Sequence, residues 1–137
     1  MPGSIFVDTS AFLALEDESD QHHEEALRFR DQQLLSGSYQ LITTSYILDE
    51  TLTLVRSRLG ITPSIDFSRK VRRSRIVRVI SVSSEVEEKA LDLFERYDDK
   101  DFSFTDCVSF VVMKDLGIRD AFTFDEHFVQ AGLSRLP

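Results

Sequence analysis

The sequence predicts an α/β protein, a three-layer α/β/α sandwich around a central parallel sheet. Two observations carry this reading. Four short apolar runs, "SIFVD", "YQLITTS", "IVRVISV" and "DAFTF", recur along the chain, and the intervals between them hold apolar residues at helical spacing. Each interval is long enough to run a helix back across a sheet, as parallel neighbours require. Composition agrees: 137 residues, 42% of them hydrophobic and eleven of them Phe, suffice for one packed core, while three Pro and five Gly leave no room for a long linker. One domain over residues 1–137 is the expectation.

The first strand ends at Asp8, and "TSAFLALED" continues as a helix that Thr9 or Ser10 is placed to cap. Residues 20–35 form a second helix, ended by the "SGS" turn. After the second strand, "SYILDETLTLVRSRLG" has helical spacing, a cap near Ser45 and a stop at Gly60. Pro63 and the hydroxyls around it mark a fresh helix start that leads into the basic "RKVRRSRIVR". Beyond the third strand, Ser84 and Glu87 have the spacing of a capping box at the head of an amphipathic helix that runs to about residue 97. The polar "DDKDFSF" interrupts, a helix follows from about Thr105 to Leu116, and "GI" closes it. A fourth strand and a short helix in "DEHFVQAG" complete the pattern, which leaves the order of the strands open.

A net charge of −8 and a pI near 4.8 argue against broad attraction to nucleic acid. Six of the 16 cations nevertheless fall within residues 69–78, and no acid lies between Asp66 and Glu85. Arg69, Lys70, Arg72, Arg73 and Arg75 therefore make either a phosphate-binding surface or a helix-to-strand connection whose cations pair with nearby acids. The lone Cys107 excludes an internal disulfide and a multi-cysteine zinc site, and reads as a small buried hydrophobe. His22 and His23 lie in an acidic stretch and read as solvated surface residues. No run approaches the roughly 20 apolar residues of a membrane span, and the start lacks the features of a secretory leader, so a cytoplasmic protein without membrane contact is expected.

In an open parallel sheet the loops beyond the carboxyl ends of the strands gather on one edge, where ligands bind. Asp8 ends the first strand and Asp125 follows the fourth, so both fall on that edge. Glu50 sits a little over one turn into the helix that starts there after the second strand. Asp106 is harder to place. The helix before it, about 21 Å long, leads away from the edge, and residues 98–104 return at most roughly 25 Å when fully extended, unless that helix crosses obliquely. Each acid also has an ordinary role open to it: Asp106 as the partner of Ser103 in a capping box, Asp125 as an N-cap, Glu50 as a solvated helix residue. Asp8 is less easily explained, because a carboxylate ending a central apolar strand is costly to bury alone. Carboxylates gathered in one cleft repel each other unless a cation joins them, and oxygen-only ligation suits Mg²⁺ or Mn²⁺.

The stretches "IFVDTSAF", "TTSYILDET", "SFTDCVSF" and "TFDEHF" together resemble, in order and across nearly the whole chain, the PIN-domain ribonucleases, and in size the toxins of VapBC-type toxin–antitoxin pairs. That resemblance implies a PIN-like fold, endonucleolytic cleavage of RNA and a Mg²⁺ or Mn²⁺ site held by Asp8, Glu50, Asp106 and Asp125. It places Thr9, Ser103 and Thr123 in support and leaves Asp101 peripheral. By the same analogy it implies a homodimer and a cognate antitoxin. The acidity of the chain puts the weight of RNA approach on residues 69–78. Two other readings compete: a phosphatase with Asp8 as nucleophile, which lacks the usual second acid because residue 10 is Ser, and a non-catalytic protein of the same fold that binds a partner through apolar helices.

Overall fold

The computed structural model describes residues 3–37 and 39–137. Five strands form one parallel sheet: β1 (Ser4–Val7), β2 (Gln40–Thr44), β3 (Val77–Ile80), β4 (Asp120–Phe122) and β5 (Ser134–Leu136), in the order β3-β2-β1-β4-β5. Helices flank it in the three-layer arrangement that the alternating pattern requires: α1 (Thr9–Glu16), α2 (His23–Phe29), α3 (Ser45–Leu59), α4 (Ile61–Arg73), α5 (Ser84–Arg96), α6 (Phe104–Leu116) and α7 (His127–Gln130). The central strand β1 buries Ile5, Phe6 and Val7 in succession, the continuous apolar run expected of a strand covered on both faces. Its neighbours are in register, Ser4 with Gln40 on one side and Val7 with Phe122 on the other.

The strand order holds the main functional consequence. From β1 the chain winds outward through β2 to β3, then returns to lay β4 on the opposite side of β1 and β5 beyond it. The point of reversal lies between β1 and β4, so the loops after them diverge and leave a crevice at their carboxyl ends. Asp8 and residues 123–125 are the residues at that place.

Several local expectations are corrected. The fifth strand was not foreseen: "SRL" is three residues long, largely exposed and not alternating, as befits an edge strand defined by its partner and not by its own pattern. Neither Thr9 nor Ser10 caps α1, because Asp8 occupies the N-cap position and Ser10 turns its hydroxyl to the Asp8 carboxylate. Thr44, not Ser45, caps α3 by accepting from the Ile47 N–H at 3.1 Å, while Ser45 accepts from Val82 N–H. Ser83, not Ser84, caps α5, and Glu87 takes the Tyr46 hydroxyl instead of closing a capping box. The helix before the basic segment begins at Ile61, ahead of Pro63, directly from Gly60, whose φ of 104° ends α3. The span 20–35 is α2 followed by a π-helical turn over Arg30–Leu34, and the last helix is confined to His127–Gln130. His22 and His23 are half-buried: one stacks on Phe124, and the other places Nδ1 2.7 Å from the Ala14 carbonyl oxygen.

The return to Asp106 is made without a stretched connection. The C-terminal end of α5 already lies beside the start of α6, with the Phe94 and Phe104 rings 6.2 Å apart, while Lys89 reaches Asp115 at the far end of α6. Tyr97 meets Phe102 across the intervening turn. Helix α6 is itself buried from Asp106 to Met113, and Cys107 lies fully inside, as a small hydrophobe should.

The four-residue α7 is held by one side chain. Phe128 has no exposed surface and packs against Phe6 at 6.2 Å and Phe110 at 5.2 Å, which ties His127 to β1 and α6. Phe128→Ala is expected to destabilise the protein by about 3–5 kcal/mol in urea denaturation, with the midpoint falling and the slope unchanged.

Candidate active site

Asp8 is 4% exposed at the end of β1. Its Oδ2 accepts from the Ser10 hydroxyl at 3.0 Å and the Thr123 hydroxyl at 2.9 Å. The two hydroxyls lie 3.1 Å from each other and are held in turn by main chain, since Phe124 N–H donates to Ser10 Oγ and Asp125 N–H to Thr123 Oγ1. This ring locks the β1 and β4 ends together, and every side-chain hydrogen bond to Asp8 falls on Oδ2. Oδ1 keeps capacity for another partner. Among the described residues no cation pairs with Asp8. Burial pushes its carboxyl up to about 6, the two hydroxyls working against the rise and the charge of Asp106 adding to it.

Asp106 fills two roles at once. It is N3 of a complete capping box, with its N–H donating to Ser103 Oγ and its Oδ2 accepting from Ser103 N–H, both at 3.0 Å. The same Oδ2 lies 2.7 Å from His127 Nδ1, so the capping geometry aims the carboxyl into the crevice. Asp125 accepts from His127 N–H at 2.9 Å and stands 3.4 Å from its Nδ1. One ligand atom each from Asp106, Asp125 and His127 falls within a span of 4.8 Å.

His127 is the residue that sequence reasoning missed. Its place in "DEHF", two positions after Asp125 at the head of a short helix, was the available signal. Partial burial lowers its pKa, but the hydrogen bond to Asp106 and the charges of Asp125, Asp106 and Asp101 outweigh that, and the pKa is raised. His127 is the one basic side chain in this group of three. Asp101, read as peripheral, is exposed yet close enough for its charge to act on this ring. Ser10 was also missed as a site residue.

The remaining candidates are placed as follows. Thr123 and Ser103 orient Asp8 and Asp106, as described. The Thr9 hydroxyl is buried without a hydrogen-bond partner among the described residues. Glu50 is half-buried on α3 and stands outside the group of three. The cations are not brought to the acids: Arg69, Lys70, Arg72, Arg73 and Arg75 are all exposed, and four residues after Arg73 the chain enters β3, whose Val77 pairs with Leu41 near the start of β2. They therefore lie by the edge where strands begin, whereas the acids lie where strands end. Lys70 pairs with Glu16 at 2.8 Å, and the four Arg have no acid partner among the described residues.

Chemically, the crevice fits a divalent cation. A buried carboxyl with a raised pKa and two further acids at the same edge form a hard, anionic oxygen donor set suited to Mg²⁺ or Mn²⁺.

The model of the PIN domain matches residues 5–133 of this chain. The 23S rRNA-specific endonuclease VapC20 of Mycobacterium tuberculosis is 37% identical over 128 residues, covering 93% of this chain and 94% of that protein. Its crystal structure, described as that of a Sarcin-Ricin loop cleaving toxin, matches with a TM-score of 0.86 at 36% identity, over 94% of this chain and 95% of that one. The VapC ribonuclease of Archaeoglobus fulgidus is 32% identical over 126 residues, covering 91% and 79%. DNA-bound VapBC from Salmonella typhimurium, at 11% identity, shares the fold with a TM-score of 0.63 over 99% of this chain and 98% of that one.

Because Asp8 titrates near 3.8 when unfolded and near 6 when folded, the native state gains stability below 3.8 and loses it as pH rises towards 6. In EDTA, the stability of Asp8→Asn relative to wild type is therefore expected to rise by about 3 kcal/mol between pH 3.5 and pH 7, read by urea denaturation at each pH. A constant difference across that range would remove the burial argument for Asp8.

Proposed function

The chain belongs to the PIN-domain family, and we propose that it is a divalent-metal-dependent endoribonuclease acting as the toxin of a toxin–antitoxin pair. The observation that carries this reading is the convergence of Asp8, Asp106 and Asp125 from three distant parts of the chain at the switch point of the sheet, with Asp8 buried and lacking a cation. Asp8, Asp106 and Asp125 hold a Mg²⁺ or Mn²⁺ ion, and Glu50 completes the acidic wall from α3. A bound ion of this kind activates water and neutralises charge on a phosphodiester. The protein's part is to fix the acids beforehand. Ser10 and Thr123 hold Asp8 through Oδ2, Ser103 and His127 hold Asp106 through its own Oδ2, and Thr9 supports the same wall.

The relatives favour RNA as substrate, and 23S rRNA, for which VapC20 is specific, is the RNA to try first. The free Arg69, Arg72, Arg73 and Arg75 contact phosphates remote from the cut, so a large folded RNA reaches both edges of the sheet. Leu59, Ile61 and Ile65 stand exposed at the α3–α4 corner, an apolar surface suited to an antitoxin or a second copy of the chain. One domain over residues 1–137, working in the cytoplasm, fits this role.

With 23S rRNA as substrate, new ends are expected in Mg²⁺ or Mn²⁺ and none in EDTA. Asp106→Asn should lower the rate by more than about 100-fold while circular dichroism stays native, since even outer partners of a metal site cost up to roughly that much. Full activity in Asp106→Asn, or cleavage in EDTA, would refute the site. The double variant Arg69→Ala with Arg73→Ala should weaken RNA binding and reduce the slope of log affinity against log salt by about two, measured by anisotropy across a salt series. An unchanged slope would leave that segment without a part in RNA binding.

A further inference from the structure

Beside Asp8 and Asp106 lies a cleft of about 450 Å³ that shares Ser10, Asp125 and His127 with the proposed site and has no part in it over the rest of its lining. It opens at Ser10, Asp125 and His127 and extends past His22 and Phe124 to Arg58 in the last turn of α3. The imidazole of His22 lies flat on the phenyl ring of Phe124, with ring centroids 4.3 Å apart and planes inclined by 3°. Both rings are half-buried and anchored through their own main chain: His22 N–H donates to Asp20 Oδ1 at 2.8 Å, and Phe124 N–H donates to Ser10 Oγ at 2.9 Å. The result is a fixed planar platform directly adjoining the carboxylates.

The charge of the lining selects the occupant. Asp20, Asp125 and Glu126 face the cleft against one guanidinium and the imidazoles of His22 and His127, and Arg58 Nη1 already lies 3.6 Å from Asp20 and 3.8 Å from Asp17. A phosphate is repelled here. A neutral, flat ring system with donors and acceptors on its edge is not, since it stacks on the platform and meets the side-chain amides of Gln21 and Gln130 in the same lining. We infer that this cleft binds the base of the RNA nucleotide next to the phosphodiester held at the carboxylates, with His22 as the stacking residue. Base recognition is thus set next to Asp125 and His127, and it rests on the function proposed above.

The test compares wild type, His22→Ala and His22→Phe on 23S rRNA in Mg²⁺, with kcat and KM separated and the melting temperature of each protein recorded. His22→Ala should raise KM roughly tenfold with kcat nearly unchanged, the lower part of the range for loss of one base–aromatic stack. His22→Phe, which keeps a planar ring, should retain the wild-type KM. A wild-type KM in His22→Ala, where wild type cleaves in Mg²⁺ but not in EDTA, overturns the base subsite and leaves the nuclease standing. A loss confined to kcat, or an equal rise of KM in both variants, also overturns stacking. Absence of cleavage by wild type overturns the nuclease and this inference with it.

Discussion

The parallel pairing of β1 with β4 is the constraint on which the site depends. Val7 opposite Phe122 places the next residue on each strand, Asp8 and Thr123, side by side, and the Asp8 N–H bonds to the Phe122 carbonyl at 3.1 Å. From there the hydroxyls of Ser10 and Thr123 close on one carboxylate oxygen. Asp8 is held at both ends, its N–H by the Phe122 carbonyl of β4 and its side chain by a hydrogen-bonded ring. The crevice exists because the chain reverses direction of winding at this pair and at no other.

An electrostatic tension follows from that geometry. The fold buries the carboxyls of Asp8 and Asp106 and sets the half-buried Asp125 and His127 beside Asp106. Asp106 tolerates the position because a helix N-terminus and Ser103 N–H both favour its negative charge. Asp8 also stands at a helix N-terminus and accepts from two hydroxyls, but burial outweighs them and its affinity for protons rises. A site strained in this way without a cation is prepared for one, and the same arrangement would be a liability in a protein that only used the fold for binding. Cys107, next to Asp106 in sequence, shows the contrast: burial pushes its thiol up, so it stays neutral and serves packing.

Much of this was legible from the residues, and the exceptions have physical causes. Strands buried on both faces announce themselves as apolar runs and β3 as an alternating one, so β1 to β4 and the parallel layering were readable, and with them the position of Asp8 and Asp125 beyond the ends of β1 and β4. The solitary edge strand β5 was not, because three residues such as "SRL" take their conformation from β4. Helix caps moved by one residue at Thr44 and Ser83, since a hydroxyl one position earlier fits the geometry equally well in sequence and only the strand ends decide. His127 escaped notice because a histidine among acids looks solvated until a buried phenylalanine one residue later pins it against the core. The cationic run was readable as a segment, but its edge was not: that depends on α4 ending where β3 begins.

The most direct test of the central claim is diffraction from crystals grown with Mn²⁺, collected where manganese scatters anomalously. The account predicts a peak in the crevice within direct coordination distance of carboxylate oxygens from Asp8, Asp106 and Asp125. A map with no peak there, or a peak held only by other residues, would contradict it.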